Sequence, residues 1–207
     1  TILKMTQTIE KKIESRVNGH GKGWSFTKVD FASDFSDDNI HKALSSLTQS
    51  GKIRRVSQGI YDFPRYSKLL GQPLSPDIDQ VAHALARKFN WRIQPSGDAA
   101  LNLLGLSTQV PGRWIYLSDG PNRQYEISGT TLTFKKSALK NVGFKYAKSG
   151  LIVQALKALG REHITPNAIQ SIRSQTDSAH FKRILSDTRT VTSWVYDAIK
   201  RICKDAR

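Results

Sequence analysis

Residues 35–64 read FSDDNIHKALSSLTQSGKIRRVSQGIYDFP, from Phe35 to Pro64, and the pattern predicts a helix followed by a hairpin. The Ser36 hydroxyl is placed to cap a helix start, and Asp37 and Asp38 put negative charge in the first turn, where the helix dipole favours it. Ile40, Ala43, Leu44 and Leu47 recur at helical spacing and form one buried stripe. The opposite face then carries Asp38, Lys42, Ser45 and Gln49, flanked by His41 and Ser46. Ser50-Gly51 stops the helix, with Gly51 supplying the left-handed position after it. Two extended runs follow, Lys52–Ser57 and Ile60–Phe63, joined at Gln58-Gly59 with the spacing of a tight hairpin. Lys52, Arg54 and Arg55 lie on the first run, beside the helix. Short hydrogen-bonding side chains outside a helix, next to a basic hairpin, match what DNA reading requires: the helix meets base edges and the hairpin meets phosphates. The candidate DNA contacts are Asn39, His41, Lys42, Ser45, Ser46, Gln49, Lys52, Arg54, Arg55 and Gln58.

Upstream, Met5, Ile9, Ile13 and Val17 at four-residue spacing predict an amphipathic helix over Ile2–Val17. Asn18–Gly23 reads as a loop; it is glycine-rich but lacks the Gly-Lys-Ser/Thr ending and the preceding strand of a phosphate-binding loop. Trp24–Thr27 reads as a short strand, and Lys28–Phe35 as a short helix with Val29, Phe31, Ala32 and Phe35 inward. Helix, strand, helix, turn, helix, hairpin is the order of a winged helix-turn-helix, expected over residues 1–72.

Downstream, Tyr61–Pro76 reads as a connector, and Ser75 with Pro76 opens a helix whose stripe is Ile78, Val81, Ala82, Leu85, Ala86 and Phe89. Asp77 and Asp79 have the spacing of a magnesium-holding pair, but in a first turn they are better explained by the helix dipole. A strand at Trp91–Gln94, a turn at Pro95-Ser96-Gly97, a helix at Asp98–Leu104 and strands at Trp114–Leu117, Gln124–Ile127 and Thr131–Phe134 complete an expected α+β core over 76–134, with a small antiparallel sheet packed on the two preceding helices. Residues 135–207 read as a basic helical tail: Leu151–Leu159, Pro166–Arg173, Ala179–Leu185 and Val191–Lys204, with caps or breaks at Ser149, Gly160, Thr165, Ser178 and Thr190. The second domain is thus 73–207, and the fold class is α+β.

The formal net charge is +15 with a pI near 10.1, and it is unevenly spread. Residues 1–75 hold 12 basic and 7 acidic side chains, 76–134 hold 5 and 5, and 135–207 hold 15 and 5. Such ends suit a polyanion, most simply nucleic acid. Lys135, Lys136, Lys140, Lys145 and Lys148 form a second candidate basic surface for DNA flanking an operator or for RNA, weighed evenly against a solubilising surface. One cysteine, Cys203, excludes an internal disulfide and a cysteine-based zinc site and reads as a packing residue of the last helix. The five histidines lack metal-ligand spacing, and the acidic residues sit mainly at helix starts, so no catalytic residue, metal or cofactor is expected. No apolar run approaches a membrane span, and a reducing cytoplasm is the expected location. Because the chain starts at Thr1, an initiator methionine or a short leader is expected ahead of it.

Pro95–Pro111, PSGDAALNLLGLSTQVP, followed by WIYLSDGPNRQYEISGTTLTF, resembles the AbiEi family, the antitoxins of type IV toxin-antitoxin (abortive infection) systems. The segment GIYDFPRYSKLLGQPLSP resembles it too. The resemblance implies an N-terminal winged helix that binds inverted repeats upstream of its own operon as an autorepressor. It also implies a C-terminal domain that counteracts a co-encoded AbiEii-type nucleotidyltransferase toxin. It offers no catalytic residues. The palindromic sites imply a homodimer, although one winged helix per chain also allows cooperative monomers. Two other classes stay open: a chromosomal winged-helix regulator whose second domain senses a ligand or partner without a toxin, and, least favoured, a nucleic-acid-processing enzyme.

Overall fold

In the computed structural model the described residues are 2–204, with the side chains of 2–8, 139 and 140 set aside; Met5 and Lys140, singled out above, lie outside the described side chains. The chain is α+β and divides into two compact units, 1–91 with 126–129 and 92–125 with 130–207. The division falls after Trp91 rather than after Gln72, because the helix over Ile78–Phe89 packs on the elements before it.

The first unit opens with α1 (Ile2–His20), which runs three residues past the expected end before Gly21 and Gly23, both at positive φ, turn the chain. β1 is Ser25–Phe26. The short helix expected over Lys28–Phe35 is one 3-10 turn, Lys28–Phe31. Phe31 is buried there, but Val29 and Ala32 are exposed, since a 3-10 turn eclipses side chains every third residue and cannot present a four-residue stripe. α2 spans Asp37–Gln49, as the sequence indicates, with Ile40, Ala43, Leu44 and Leu47 all buried. Its Ser36 N-cap makes no side-chain cap hydrogen bond, so the first-turn aspartates are left to complement the dipole. Gly51, at φ +71, lets the Lys52 and Ile53 amides turn back to the Leu47 carbonyl at 3.0 and 3.3 Å. β2 (Arg54–Ser57) and β3 (Ile60–Asp62) form the hairpin, with a register shift between Arg55 and Ser57 and Gly59 at φ +70. β1 pairs with β3, giving the order β1-β3-β2. Ile13, Val17, Phe26, Phe31, the α2 stripe and Ile53 make one core.

Inside the expected connector lies a small hairpin, β4 (Tyr66–Ser67) and β5 (Gln72–Pro73), with the Tyr66 hydroxyl donating to the Gly71 carbonyl and Leu69 and Leu70 exposed at its tip. α3 is Ile78–Phe89, capped not by Ser75 but by Asp77, whose carboxylate accepts the Asp79 and Gln80 amides. Each aspartate has its own local role: Asp77 caps and also accepts from Arg65 at 3.0 Å, and Asp79 faces His83 at 3.6 Å. Asp77→Ala is expected to cost about 1 kcal/mol in chemical denaturation, the usual worth of a helix cap. α3 is tied back through Arg87, which reaches the Asp30 carboxylate and the Ser25 carbonyl while Asp30 accepts the Thr27 amide at 2.8 Å.

A four-stranded sheet in the order β6-β7-β9-β8 follows, where β6 is Ile93–Ser96, β7 Arg113–Ser118, β8 Arg123–Ile127 and β9 Thr130–Lys136; it belongs to the second unit except for the last two residues of β8. The antiparallel expectation fails here: β7 and β9 run parallel, from Arg113 opposite Thr131 to Ser118 opposite Lys136. The tight turn at Ser128-Gly129, both at positive φ, folds β9 back against β8, and β9 then takes the place beside β7 that a simple meander would give to β8. Pro95 and Ser96 belong to β6, not to a turn; an edge strand tolerates proline because its outer amides need no partner.

α4 (Asp98–Leu103) and α6 (Ala147–Leu159) cover this sheet, with the short α5 (Leu139–Val142) between β9 and α6. α7 (Pro166–Ser174), α8 (Phe181–Asp187) and α9 (Ser193–Ile202) follow. Thr165 caps α7 as the sequence implies, whereas Asp177 caps the turn before α8, Thr192 precedes α9, and Ser149 is buried inside α6. These helices are no separate tail: Ala100 and Leu104 share one core with Ile152, Leu156, Ile172, Phe181, Val195 and Ile202. Cys203 is buried at the end of α9, and burial pushes its thiol up to about 11. Among the described residues, no helix is long and apolar enough to cross a membrane.

Candidate nucleic-acid interface

The outward face of α2 follows from its inward one. With Ile40, Ala43, Leu44 and Leu47 buried, His41, Lys42, Ser45 and Gln49 are all exposed, and Asn39 and Ser46 are half-buried at the edges. No hydrogen bond or ion pair within the described residues engages the side chains of His41, Lys42, Ser45 or Gln49. Thr48, by contrast, bonds back to the Leu44 carbonyl at 2.7 Å. A helix of 13 residues is about 20 Å long, and B-DNA's major groove, about 12 Å wide, admits such a cylinder.

The hairpin residues divide into two kinds. Arg55 and Gln58 are exposed, Gln58 at the turn. Arg54 is engaged within the fold: its Nε and a terminal nitrogen donate to the two Asp62 carboxylate oxygens at 3.0 and 2.6 Å, and the other terminal nitrogen donates to the Leu74 carbonyl. The Asp62 side chain is 2% exposed, so this forked pair is a structural element. Lys52 reaches Glu14 on α1 at 2.8 Å, and that hydrogen bond to the carboxylate holds its ammonium above the usual lysine range. Of the three hairpin cations read as phosphate contacts, Arg55 alone is exposed without an acidic partner among the described residues.

Two cations escaped the sequence reading. Lys88 of α3 sits with its Nζ 3.7 Å from where a Cβ at Gly59 would be, beside the hairpin turn. With Lys28, His41, Leu44, Gly59 and Tyr61 it lines a cavity of about 140 Å³. Lys28 is bonded to Asp37 at 2.6 Å. Assigning α3 to the other domain hid Lys88. Asp62 had a legible signal: the hairpin register sets it directly opposite Arg54, and opposite charges across a strand pair attract.

Three lysines of the second basic run stand exposed. Lys135 and Lys136 are exposed at the end of β9, and Lys145 is exposed before α6. Lys148 is half-buried, and burial pulls its ammonium below the ordinary lysine range, so it is a poorer phosphate partner than the exposed Lys135, Lys136 and Lys145. Lys140 lies outside the described side chains. Among the described residues, no three His, Cys, Asp or Glu side chains gather where they could hold a metal ion.

Comparison with solved structures finds similarity to the crystal structure of the RV2827C protein from Mycobacterium tuberculosis, over 95% of this chain and 76% of that one, at 13% sequence identity and a TM-score of 0.40. No curated protein matches the sequence. A family model described as "Family of unknown function (DUF6088)" matches residues 12–184, most of both units, and the chain accordingly belongs to the DUF6088 family.

Proposed function

We propose that the first unit is a winged helix-turn-helix that binds duplex DNA, and that the chain is an antitoxin that also represses its own operon. The observation that carries the DNA reading is the outer face of α2, where Lys42, Ser45 and Gln49 stand exposed with no side-chain bond among the described residues. The strand order β1-β3-β2 around α1, the 3-10 turn and α2 is the arrangement such a unit requires, and it supports the reading. In this mechanism α2 enters the major groove and Ser45 and Gln49 meet base edges. Lys42, Arg55, Gln58 and Lys88 contact phosphates on either side. The antitoxin half rests on the resemblance of Pro95–Pro111 to the AbiEi family; its partner there is a nucleotidyltransferase toxin encoded by the adjoining gene.

Two measurements test the halves separately. In titrations of the DNA upstream of its own gene, Gln49→Ala or Ser45→Ala is expected to lose about tenfold discrimination between that site and scrambled DNA, near 1.4 kcal/mol, with unfolding midpoints unchanged. Equal affinity of wild type and both variants for site and scramble removes α2 from the interface. Co-expression with the adjoining open reading frame tests the antitoxin: growth arrest relieved by this chain supports it, and a harmless neighbour refutes it.

A further inference from the structure

We propose that the second unit carries its own site for an unpaired nucleotide, in the cavity where β6 meets the start of α6. The cavity measures about 450 Å³ and is lined by Arg92, Ile93, Gln94, Phe144, Lys145 and Ala147 among others, inside the roughly 300–1,000 Å³ range of small-ligand sites. Arg92 and Lys145 are exposed cations and supply what a phosphate needs. Phe144, half-buried, offers an aromatic surface for a base. Gln94 lines the cavity at 4% exposed, with its Oε1 seated against Gly150, and its amide nitrogen is a donor suited to a base edge. A simple anion would need the cations alone. The ring and the amide beside them specify a base as well, and a recess of this size takes a base only when it is out of a duplex stack.

The scaffold fixes each part. The Arg92 amide donates to the Asp119 carboxylate at 2.8 Å, and the Asp119 amide returns to the Arg92 carbonyl at 3.2 Å. The Lys145 and Tyr146 amides donate to the two oxygens of Asp187 at 3.1 and 3.0 Å, which holds the 144–146 run against α8. Gly150 of α6 lets the Gln94 amide and the Phe144 ring sit side by side, since a Cβ there would come within 2.8 Å of Phe144 Cδ2. One residue past Lys145 the cation–aromatic character continues: the Tyr146 ring stacks on His180 at 5.0 Å and carries the Arg183 guanidinium at 4.9 Å.

Charge points the same way. The second unit holds 18 Lys and Arg against 7 Asp and Glu, net +11 of the total +15. In the first unit Arg16, Lys28, Lys52, Arg54, Arg65 and Arg87 each face a carboxylate, while in the second Lys200 faces Asp197 and Asp119, Asp177 and Asp187 accept backbone amides. The site involves no residue of α2 or the β2–β3 hairpin, so it stands or falls apart from the duplex reading.

The test titrates the full chain with a fluorescein-labelled ten-nucleotide oligouridylate by anisotropy, with uridine monophosphate and an unlabelled duplex of unrelated sequence as competitors. The Arg92→Gln/Lys145→Gln double variant is expected to bind the oligouridylate at least tenfold more weakly, and its salt slope to fall by about 1.4 for two phosphate contacts on a single strand. Its affinity for a short duplex limited to the α2 site, with no flanking DNA for the second basic run to reach, stays as in wild type. Phe144→Leu, which keeps most of the apolar bulk and removes the ring, is expected to weaken the single strand several-fold, more than its modest loss of stability in chemical denaturation accounts for. Full displacement by uridine monophosphate, with no gain from strand length, supports the same pocket acting on free nucleotides. Wild-type affinity in the double variant, or an equal loss on single strand and duplex, overturns the proposal.

Discussion

Arg54→Ala is expected to destabilise the first unit by about 3 kcal/mol, the low end of the cost of breaking a buried pair by removing one partner. The asymmetry of the pair sets the size. Asp62 is 2% exposed on its side chain and Arg54 about a third exposed, so losing the arginine strands a buried carboxylate, while losing the aspartate frees a guanidinium that water can reach. Asp62→Ala should therefore cost less than Arg54→Ala, and Arg54→Ala/Asp62→Ala less than the sum of the two. Urea denaturation of the three variants measures this; equal costs for the two single variants would show that the pair is effectively solvated. The same series separates fold from function. Arg54→Ala should lower DNA affinity only through the folded fraction and leave the salt slope intact. Arg55→Ala, one residue on and exposed, should leave stability alone and flatten the slope by about 0.9, the value of one duplex phosphate.

The Arg54 result shows what the sequence could and could not convey. α2 was legible to the residue because its signals agree: acids in the first turn, a four-residue apolar rhythm, and a glycine at the stop. Charge type was legible, and the hairpin register announced the Arg54–Asp62 pair, but long-range charge pairing was hidden, since Lys52 meets Glu14 across 38 positions and Arg87 meets Asp30 across 57. The parallel pairing of β7 with β9 was equally hidden, because strand periodicity reports which face is buried and not which neighbour is chosen. Tail and sheet were separated by the change in composition after Phe134, yet Ala100 and Leu104 complete their burial on α6 and its successors. The cavity at β6 brings Arg92 and Gln94 to Phe144 and Lys145, about 50 positions later, and no local motif announces such a meeting.

Gly150→Ala is expected to destabilise the second unit by about 2 kcal/mol, against the direction that helix propensity alone would give. Gly150 lies within α6, where alanine in place of glycine ordinarily gains about 1 kcal/mol. The added methyl, however, would stand 2.6 Å from Gln94 Cδ and 2.8 Å from Phe144 Cδ2. A flexible side chain on a surface would swing aside at little cost. Gln94 is 4% exposed and packed between β6 and α6, and Phe144 is seated against the core, so both must give up packed contacts and shift toward the cavity they line. Forced repacking of this kind costs about 1–3 kcal/mol, and moving two neighbours at once puts it at the upper end, which outweighs the propensity gain. Ala158→Gly, at an exposed position of the same helix, is the control and should cost about 1 kcal/mol from propensity alone. A stabilised Gly150→Ala in chemical denaturation would mean that Gln94 leaves its place freely, and the close seating of amide and ring over α6 would then be no constraint on the fold.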